Sequence, residues 1–361
     1  MSITDSSGML IRYGPRVRGR IMLDITMFSK ADSVKGQGVG SAYLELMRLL
    51  RTHWQDEFNI KVNRYGHAAI SHYHTVNPMF YLSTFMPNRG RKIGYVHFLP
   101  ETLEGSLKLP RPFQVIFNRY LISFYKRMDH IVVVNPTFIP KLEAYHIKRA
   151  DVTYIPNFVS KREFYEMTKA KQLRLRQQYG YDQNKFMIIG TGQIQDRKGV
   201  PDFITLAKQN PDIQFVWAGG FSFGRITDGY QELKRVVDNP PANLSFPGIV
   251  PREKLVDYYN MADLFLLPSY NELFPMSVLE AFSCGTPVLL RDLDLYRAII
   301  DGYYQAASDV DDMQQQIDRL RHNPAGLQFL HDKAVLAAQD YSEERLAKIW
   351  HDFYLQQAKE G

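Results

Sequence analysis

The chain holds a single cysteine, Cys284, so no internal disulfide is possible and a reducing setting such as the cytoplasm is expected. Long apolar runs are missing too: stretches such as Ile131–Val134 and Leu264–Leu267 fall far short of the roughly 20 residues that a bilayer span needs. No apolar segment follows the first residues, so no secretory signal is expected. Ten histidines show no H-E-x-x-H or comparable ligand spacing, and no repeat or low-complexity tract is visible. What remains is 361 residues at 45% hydrophobic and 23% charged composition, enough for two domains with sizeable cores. The net charge of +6 hides an imbalance: residues 1–160 carry 21 basic and 11 acidic side chains, or +10, and the rest carry 23 and 27, or −4. Such a split fits either a basic half that meets an anionic surface or uneven surface charge with no partner. Nucleic acid is not expected, because no binding motif accompanies the charge.

Residues 1–20 are polar and Arg-rich without periodicity, and read as a mobile leader. Short apolar, β-branched or aromatic runs then recur at Leu23–Phe28, Ile93–Val96, Ile131–Val134, Thr153–Ile155, Phe186–Ile189, Phe215–Ala218, Leu264–Leu267 and Val288–Leu290. Helical patterns lie between them, including Ser41–Trp54, Lys254–Asn260, Val278–Phe282 and a stripe of Phe113, Ile116, Phe117, Tyr120, Leu121, Phe124 and Met128. Strands alternating with helices predict parallel sheets covered on both faces. A charged stretch, 156–183, lacks a strand pattern and reads as a linker running into a helix. The expected α/β organisation is therefore two Rossmann-like domains, 21–160 and 161–340, followed by a helix over 341–361. Ser342 is its expected N-cap, and Leu346, Ile349, Trp350, Phe353 and Tyr354 form a stripe that must be buried, here against the first domain.

The most specific segment runs from Pro268 to Ala281: it leaves a buried strand, passes Glu272, Phe274, Pro275 and Met276, and enters a helix bearing Glu280. A loop at a strand's C-terminal end that opens a helix is the ligand position of open α/β sheets, and the helix N-terminus offers N–H groups to a diphosphate. Ionised carboxylates are strong acceptors for sugar hydroxyls. Taken alone, Glu272 and Glu280 are equally compatible with a helix-start charge and a surface helix residue. Arg197 and Lys198, after the strand ending at Ile189, can neutralise a diphosphate leaving group or form a solvated basic turn. His97 ends a strand, where a lone histidine is usually structural. Gly36–Gly40 precedes a helix but is not a full G-x-G-x-x-G.

The pattern Glu272-x7-Glu280-Ala281, followed by Gly285-Thr286-Pro287-Val288, resembles the donor-site signature of family-4 retaining glycosyltransferases. The resemblance extends over nearly the whole chain after residue 22. It implies a GT-B fold, with two Rossmann-like domains facing a cleft. It also implies that Glu272 contacts the donor hexose and Glu280 the nucleotide ribose, and that Phe274, Pro275 and Met276 lie along the sugar and diphosphate. Lys198 matches the family lysine, and Gln193 stands where the family usually has arginine, a charge Arg197 can supply. His97 matches a histidine close to the anomeric carbon, and Gly38 and Gly40 belong to the loop that approaches the donor phosphates. Phe-Pro replaces the usual Phe-Gly at 274–275. Asp292 and Asp294 spell D-x-D, but the family does not use that position, so neither metal nor other cofactor is expected.

Met27–Asp32 with Lys35–Tyr43, and Gly192-Gln193 with Arg197-Lys198-Gly199, resemble bacterial enzymes that add a second hexose to monoglucosyl-diacylglycerol. The implied reaction is retaining transfer of glucose or galactose from a UDP-sugar to a membrane glycolipid, in glycolipid or lipoteichoic-acid anchor synthesis. Arg111, Arg119, Lys126 and Arg127, set among aromatic residues, are the expected contacts to an anionic membrane, on the inner face of which the enzyme would sit peripherally. The alternatives are a cytoplasmic transferase of capsule or exopolysaccharide synthesis, a nucleotide-sugar epimerase, and a non-catalytic GT-B partner subunit.

Overall fold

The computed structural model describes residues 2–4, 10–12, 16–17, 20–30, 38–102, 111–221, 224, 227 and 229–361. Four short strands open it: β1 (Ser2–Thr4) pairs antiparallel with β2 (Leu10–Arg12), and β3 (Arg16–Val17) with β4 (Arg20–Ile21). The segment read as a mobile leader thus contains paired strands among its described residues. At two or three residues each they are too short to register as alternation.

Next come β5 (Leu23–Phe28), α1 (Gly38–His53), β6 (Phe58–Val62), β7 (Ile70–Tyr73), α2 (Pro78–Ser83), β8 (Arg91–Val96), α3 (Arg111–Lys126), β9 (His130–Val133), α4 (Phe138–Ala144) and β10 (Val152–Tyr154). Their strands form one six-stranded parallel sheet in the order β10-β9-β8-β7-β5-β6. An irregular stretch leads to α5 (Lys169–Gln178), β11 (Met187–Thr191), α6 (Val200–Gln209), β12 (Gln214–Ala218), α7 (Tyr230–Asp238), β13 (Leu244–Gly248), α8 (Arg252–Met261), β14 (Leu264–Leu267), α9 (Met276–Ser283), β15 (Val288–Arg291), α10 (Asp294–Ile300) and β16 (Gln305–Ala307). These strands make a second six-stranded parallel sheet, β13-β12-β11-β14-β15-β16. Helices α11 (Val310–Arg321), α12 (Pro324–Asp340) and α13 (Glu343–Lys359) finish the chain.

This is the expected α/β pair of doubly wound sheets. In each, the chain adds strands outward on one side and then returns to add them on the other. The resulting switch points lie between β5 and β7 and between β11 and β14. Ligands of such sheets bind beyond the C-terminal strand ends at these points.

Helix α13 buries Leu346, Trp350, Phe353 and Tyr354, each worth about 1.5–3 kcal/mol on transfer from water. It docks on the first sheet: the Trp54 indole donates to the Ala347 carbonyl at 3.0 Å, Tyr354 Oη bonds His72 Nδ1 at 2.7 Å, and Arg91 Nε donates to Gln357 Oε1 at 3.0 Å. Ser342 stands at its N-cap in extended conformation, yet its side chain makes no capping bond.

Candidate active site

Strand β11 feeds the turn Asp196–Lys198, and β14 feeds the loop into α9, so both expected donor segments flank the second sheet's switch point. Gly199 makes their approach possible. Its φ is +70°, and a Cβ there would lie 2.1 Å from the Pro268 carbonyl oxygen. Lys198 Nζ consequently reaches Glu272 in a short ion pair, with Arg197 Nη1 3.9 Å from the same carboxylate. Arg197 Nη1 also donates to the Asn271 carbonyl at 2.5 Å. Glu272 is buried, which pushes its pKa up, but Lys198 and Arg197 outweigh burial and hold it below the usual carboxylate range. For Lys198 burial prevails over the attraction of Glu272, and its pKa falls below the ordinary lysine value. The site therefore presents an ionised acceptor beside two cations.

Phe274, Pro275 and Met276 have buried side chains, with Phe274 edge-on to Tyr341. Contacts from this segment to a ligand thus fall to its backbone and to the N–H groups opening α9. Glu280, one turn into α9, accepts from Arg252 Nη1 at 2.7 Å and from Tyr259 Oη at 2.7 Å.

Across the cleft, His97 follows β8 directly. Its Nε2 lies 3.3 Å from His74 Nδ1, and the His74 ring stacks on Tyr95 at 4.5 Å. Burial lowers the pKa of His72 and His97 to about 3, and that of His74 well below its usual value, so all three rings are neutral at physiological pH. His97 therefore offers a neutral ring, a dipole or hydrogen-bonding group, and not an imidazolium. Asn135 Nδ2 donates to the Leu273 carbonyl at 3.0 Å, and Asn157 Nδ2 to that of Phe274 at 3.4 Å, so the segments that follow β9 and β10 hold the backbone of the loop before α9 directly.

Gly38 and Gly40 lie in the first turn of α1, not in a loop before it. Residues 31–37, with Lys35, Gly36 and Gln37, lie outside the described residues. Asp292 and Asp294 are both paired with Arg297. His72, His74, Asn135 and Arg252 escaped the sequence reading. A His-x-His repeat along β7 and into the residue beyond it was the available signal for the first two, since alternate residues share a face. Nothing local marks Arg252 or Asn135, whose partners are far away in sequence.

The side chain of Arg111 is outside the described residues, and Arg127 is spent on the Thr84 carbonyl at 3.1 Å and the Phe85 ring at 4.1 Å. Arg119 and Lys126 are exposed. They line, with Pro100, Asn118, Ile122 and Tyr145, a cleft of about 430 Å³. The aromatic residues expected beside the cations divide: Phe124 and Tyr125 are core, Phe117 and Tyr120 are half-buried, and Phe113 is 64% exposed, beside the aliphatic Ile116 at 65%. Helix α2 with the turn after it adds Met79, Leu82 and Phe85, exposed at 60%, 59% and 56%. No described helix is long and apolar enough to cross a membrane.

Two family models match the chain, one described as Glycosyltransferase Family 4 over residues 33–163 and one as Glycosyl transferases group 1 over residues 171–334. The chain is 52% identical over 340 residues, 94% of its length and 91% of the relative's, to an alpha-galactosylglucosyldiacylglycerol synthase of Streptococcus pneumoniae. It is 29% identical over 180 residues, 48% of its length and 53% of the relative's, to a processive diacylglycerol alpha-glucosyltransferase of Acholeplasma laidlawii. Its fold matches that of Anabaena HepE in complex with UDP and glucose, with a TM-score of 0.76 at 13% identity, over 92% of this chain and 100% of the other. Sucrose-phosphate synthase from Thermosynechococcus elongatus gives 0.75 at 16% identity, over 92% and 98%.

Proposed function

Because the chain belongs to the glycosyltransferases, matching the Family 4 model in its first half and the group 1 model in its second, we propose that it moves a hexose from a UDP-sugar to a diacylglycerol-linked hexose at a membrane surface. It is a hexosyltransferase with a GT-B fold. The observation that carries the acceptor class is 52% identity, over almost the full length of both chains, to a synthase of alpha-galactosylglucosyldiacylglycerol. The capsule alternative has no comparable support.

In this reading Glu272 accepts hydrogen bonds from the donor hexose, Glu280 accepts from the ribose, and Arg197 and Lys198 face the diphosphate. The backbone around Phe274, Pro275 and Met276 follows the sugar and phosphates, and Gly38 and Gly40 bring α1 close to them. The acceptor hydroxyl attacks the anomeric carbon on the face the diphosphate leaves. The carbon–oxygen bond to phosphate breaks, the new glycosidic bond forms, and the hydroxyl proton passes to the departing phosphate. Arg197 and Lys198 stabilise the charge developing there, and neutral His97 lies beside the reacting carbon. Two cations and a helix end make a metal ion unnecessary, so activity should survive chelation. The membrane contact assigned to this enzyme is the face of α2 and α3, against an anionic leaflet on the cytoplasmic side.

The experiment supplies radiolabelled UDP-glucose or UDP-galactose with vesicles containing monoglucosyl-diacylglycerol, and separates the lipid products. Label in a dihexosyl lipid of retained anomeric configuration is expected. Label appearing only in a lipid-diphosphate-linked sugar would sink the acceptor assignment.

A further inference from the structure

Arg252, the first residue of α8, places one nitrogen against each of three carboxylates from three different elements. Nη1 donates to Glu280 Oε1 of α9 at 2.7 Å, Nε to Glu163 Oε2 in the connection between the sheets at 3.0 Å, and Nη2 to Glu45 of α1. The guanidinium also lies over the Phe164 ring at 4.8 Å. Arg48, one turn beyond Glu45 on α1, pairs with Glu163. Glu45 and Glu280 are both buried, and Glu45 Oε2 accepts no hydrogen bond, facing Arg48 Nη1 at 3.9 Å. The second oxygen of Glu280 is held by Tyr259, whose hydroxyl lies 3.0 Å from that of Thr191 at the end of β11.

Stability alone does not call for this arrangement. Buried ion pairs roughly break even against apolar packing, and three carboxylates around two guanidinia leave one negative charge in excess. Burial accordingly pushes Glu45 up to about 7. What a planar fork does supply is a fixed direction for each carboxylate it holds. The bond to Glu45 then joins α1, a helix of the first sheet, to Arg252 of α8, whose guanidinium also holds Glu280 of α9.

We propose that Arg252 is a positioning residue that aims Glu280 at the donor ribose. Through Glu45, that aim depends on how α1 is seated against the second sheet. The proposal rests on the reading of Glu280 as the ribose acceptor. It makes nucleotide recognition sensitive to the approach of the two sheets, using residues that do not themselves touch the donor.

The test measures, by calorimetry on the full chain, the affinities for UDP and for 2′,3′-dideoxy-UDP. A hydroxyl bonded to a carboxylate is worth roughly tenfold or more in affinity, so the wild type should favour UDP by about that ratio. Glu280→Gln should bring the ratio close to one. Arg252→Gln should do the same, and Glu45→Gln should lower it severalfold while dideoxy-UDP binding stays near the wild-type value. In a Glu280→Gln background, Glu45→Gln should change the ratio no further. If Glu280→Gln leaves the ratio intact, the ribose reading itself fails. If Glu280→Gln abolishes it and neither Arg252→Gln nor Glu45→Gln moves it, the ribose reading stands and the positioning role is overturned. Should Arg252→Gln not fold, Glu45→Gln decides alone, because its effect must travel through Arg252.

Discussion

Glu272 stays ionised although burial raises its pKa, because Lys198 and Arg197 face it. The two cations differ in what they do for the fold. Lys198 is the direct partner of a buried carboxylate, and removing one member of such a pair typically costs 3–5 kcal/mol, by stranding the other charge. Lys198→Ala should therefore lose about that much stability as well as activity. Adding Glu272→Gln should recover part of the stability and none of the turnover. Arg197 is more loosely tied, so Arg197→Ala should leave the fold nearly intact and slow transfer by roughly a hundredfold, about 3 kcal/mol at the transition state. Urea denaturation and initial rates on the three variants separate these outcomes. If the double variant is no more stable than Lys198→Ala, the stranded-charge account is wrong. The buried histidines make a prediction of opposite sign to that of a salt-bridged imidazole. Unfolded rings take up protons below about 6.5, and folded His72 and His97 stay neutral down to about 3. Their contribution is intact above 6.5, and each ring withdraws up to about 1.4 kcal/mol per pH unit as pH falls below it. His72→Gln should therefore show a shallower loss of stability between pH 6 and pH 5 than the wild type. Equal slopes would show that His72 titrates alike in both states.

At the scale of elements, the strands that the sequence displayed plainly are those buried on both faces. β14 is Leu-Phe-Leu-Leu, and β5, β11 and β15 are likewise fully buried. Those it concealed are edges or carry polar chemistry. β6 and β16 are edge strands of mixed composition, and β13, also at an edge, ends in Pro247 and Gly248. β7 is central but reads Ile-Ser-His-Tyr, because its polar side chains serve Arg89 and Tyr354 inside the core. The loops of the candidate site were legible for the same reason as β14, since a sharply bounded apolar run shows where a strand ends and a ligand loop begins. Arg252, Asn135 and His74 were not, because their meaning lies in partners brought up by the other sheet or by another strand. Helix α13 stood out from its apolar stripe alone, and that stripe predicts its own energetics. Trp350 is fully buried, and Ile349 is only partly covered. Trp350→Ala should cost about 3–5 kcal/mol and Ile349→Ala clearly less. Similar unfolding midpoints for the two would mean that α13 does not pack on the first sheet as described.

In the first half of the chain a positive charge balance coincides with a group of exposed apolar side chains. The +10 balance belongs to residues 1–160, the part that also exposes Met79, Leu82 and Phe85 beside α3 with its Phe113 and Ile116. Helix α2 is tied to α3 by a Tyr81–Ser123 hydrogen bond of 2.7 Å and by Arg127 over Phe85, so the two present their side chains together. Exposed apolar side chains flanked by cations suit a headgroup boundary: the former enter the acyl edge and the latter meet anionic phosphates. A diacylglycerol-linked acceptor stays in its bilayer, so an enzyme using it must come to the surface. Of the aromatic residues expected on this face, Phe113 is exposed, Phe117 and Tyr120 are half-buried, and Phe124 and Tyr125 are core; α2 and the turn after it add the exposed Met79, Leu82 and Phe85. Each basic residue near an anionic leaflet is worth about 1 kcal/mol. Vesicles containing phosphatidylglycerol should therefore carry the protein upward in a flotation gradient, neutral vesicles much less, and high salt should release it through screening. Arg119→Glu with Lys126→Glu should weaken flotation by about tenfold or more, since reversal turns two attractions into repulsions. Replacing Met79, Leu82 and Phe85 with serine should weaken it in a manner that salt does not mimic. Both sets should reduce transfer to vesicle-borne acceptor and leave UDP affinity unchanged, which distinguishes lost docking from a damaged donor site. A wild-type protein that stays in solution with anionic vesicles at low salt would remove the membrane contact from this face.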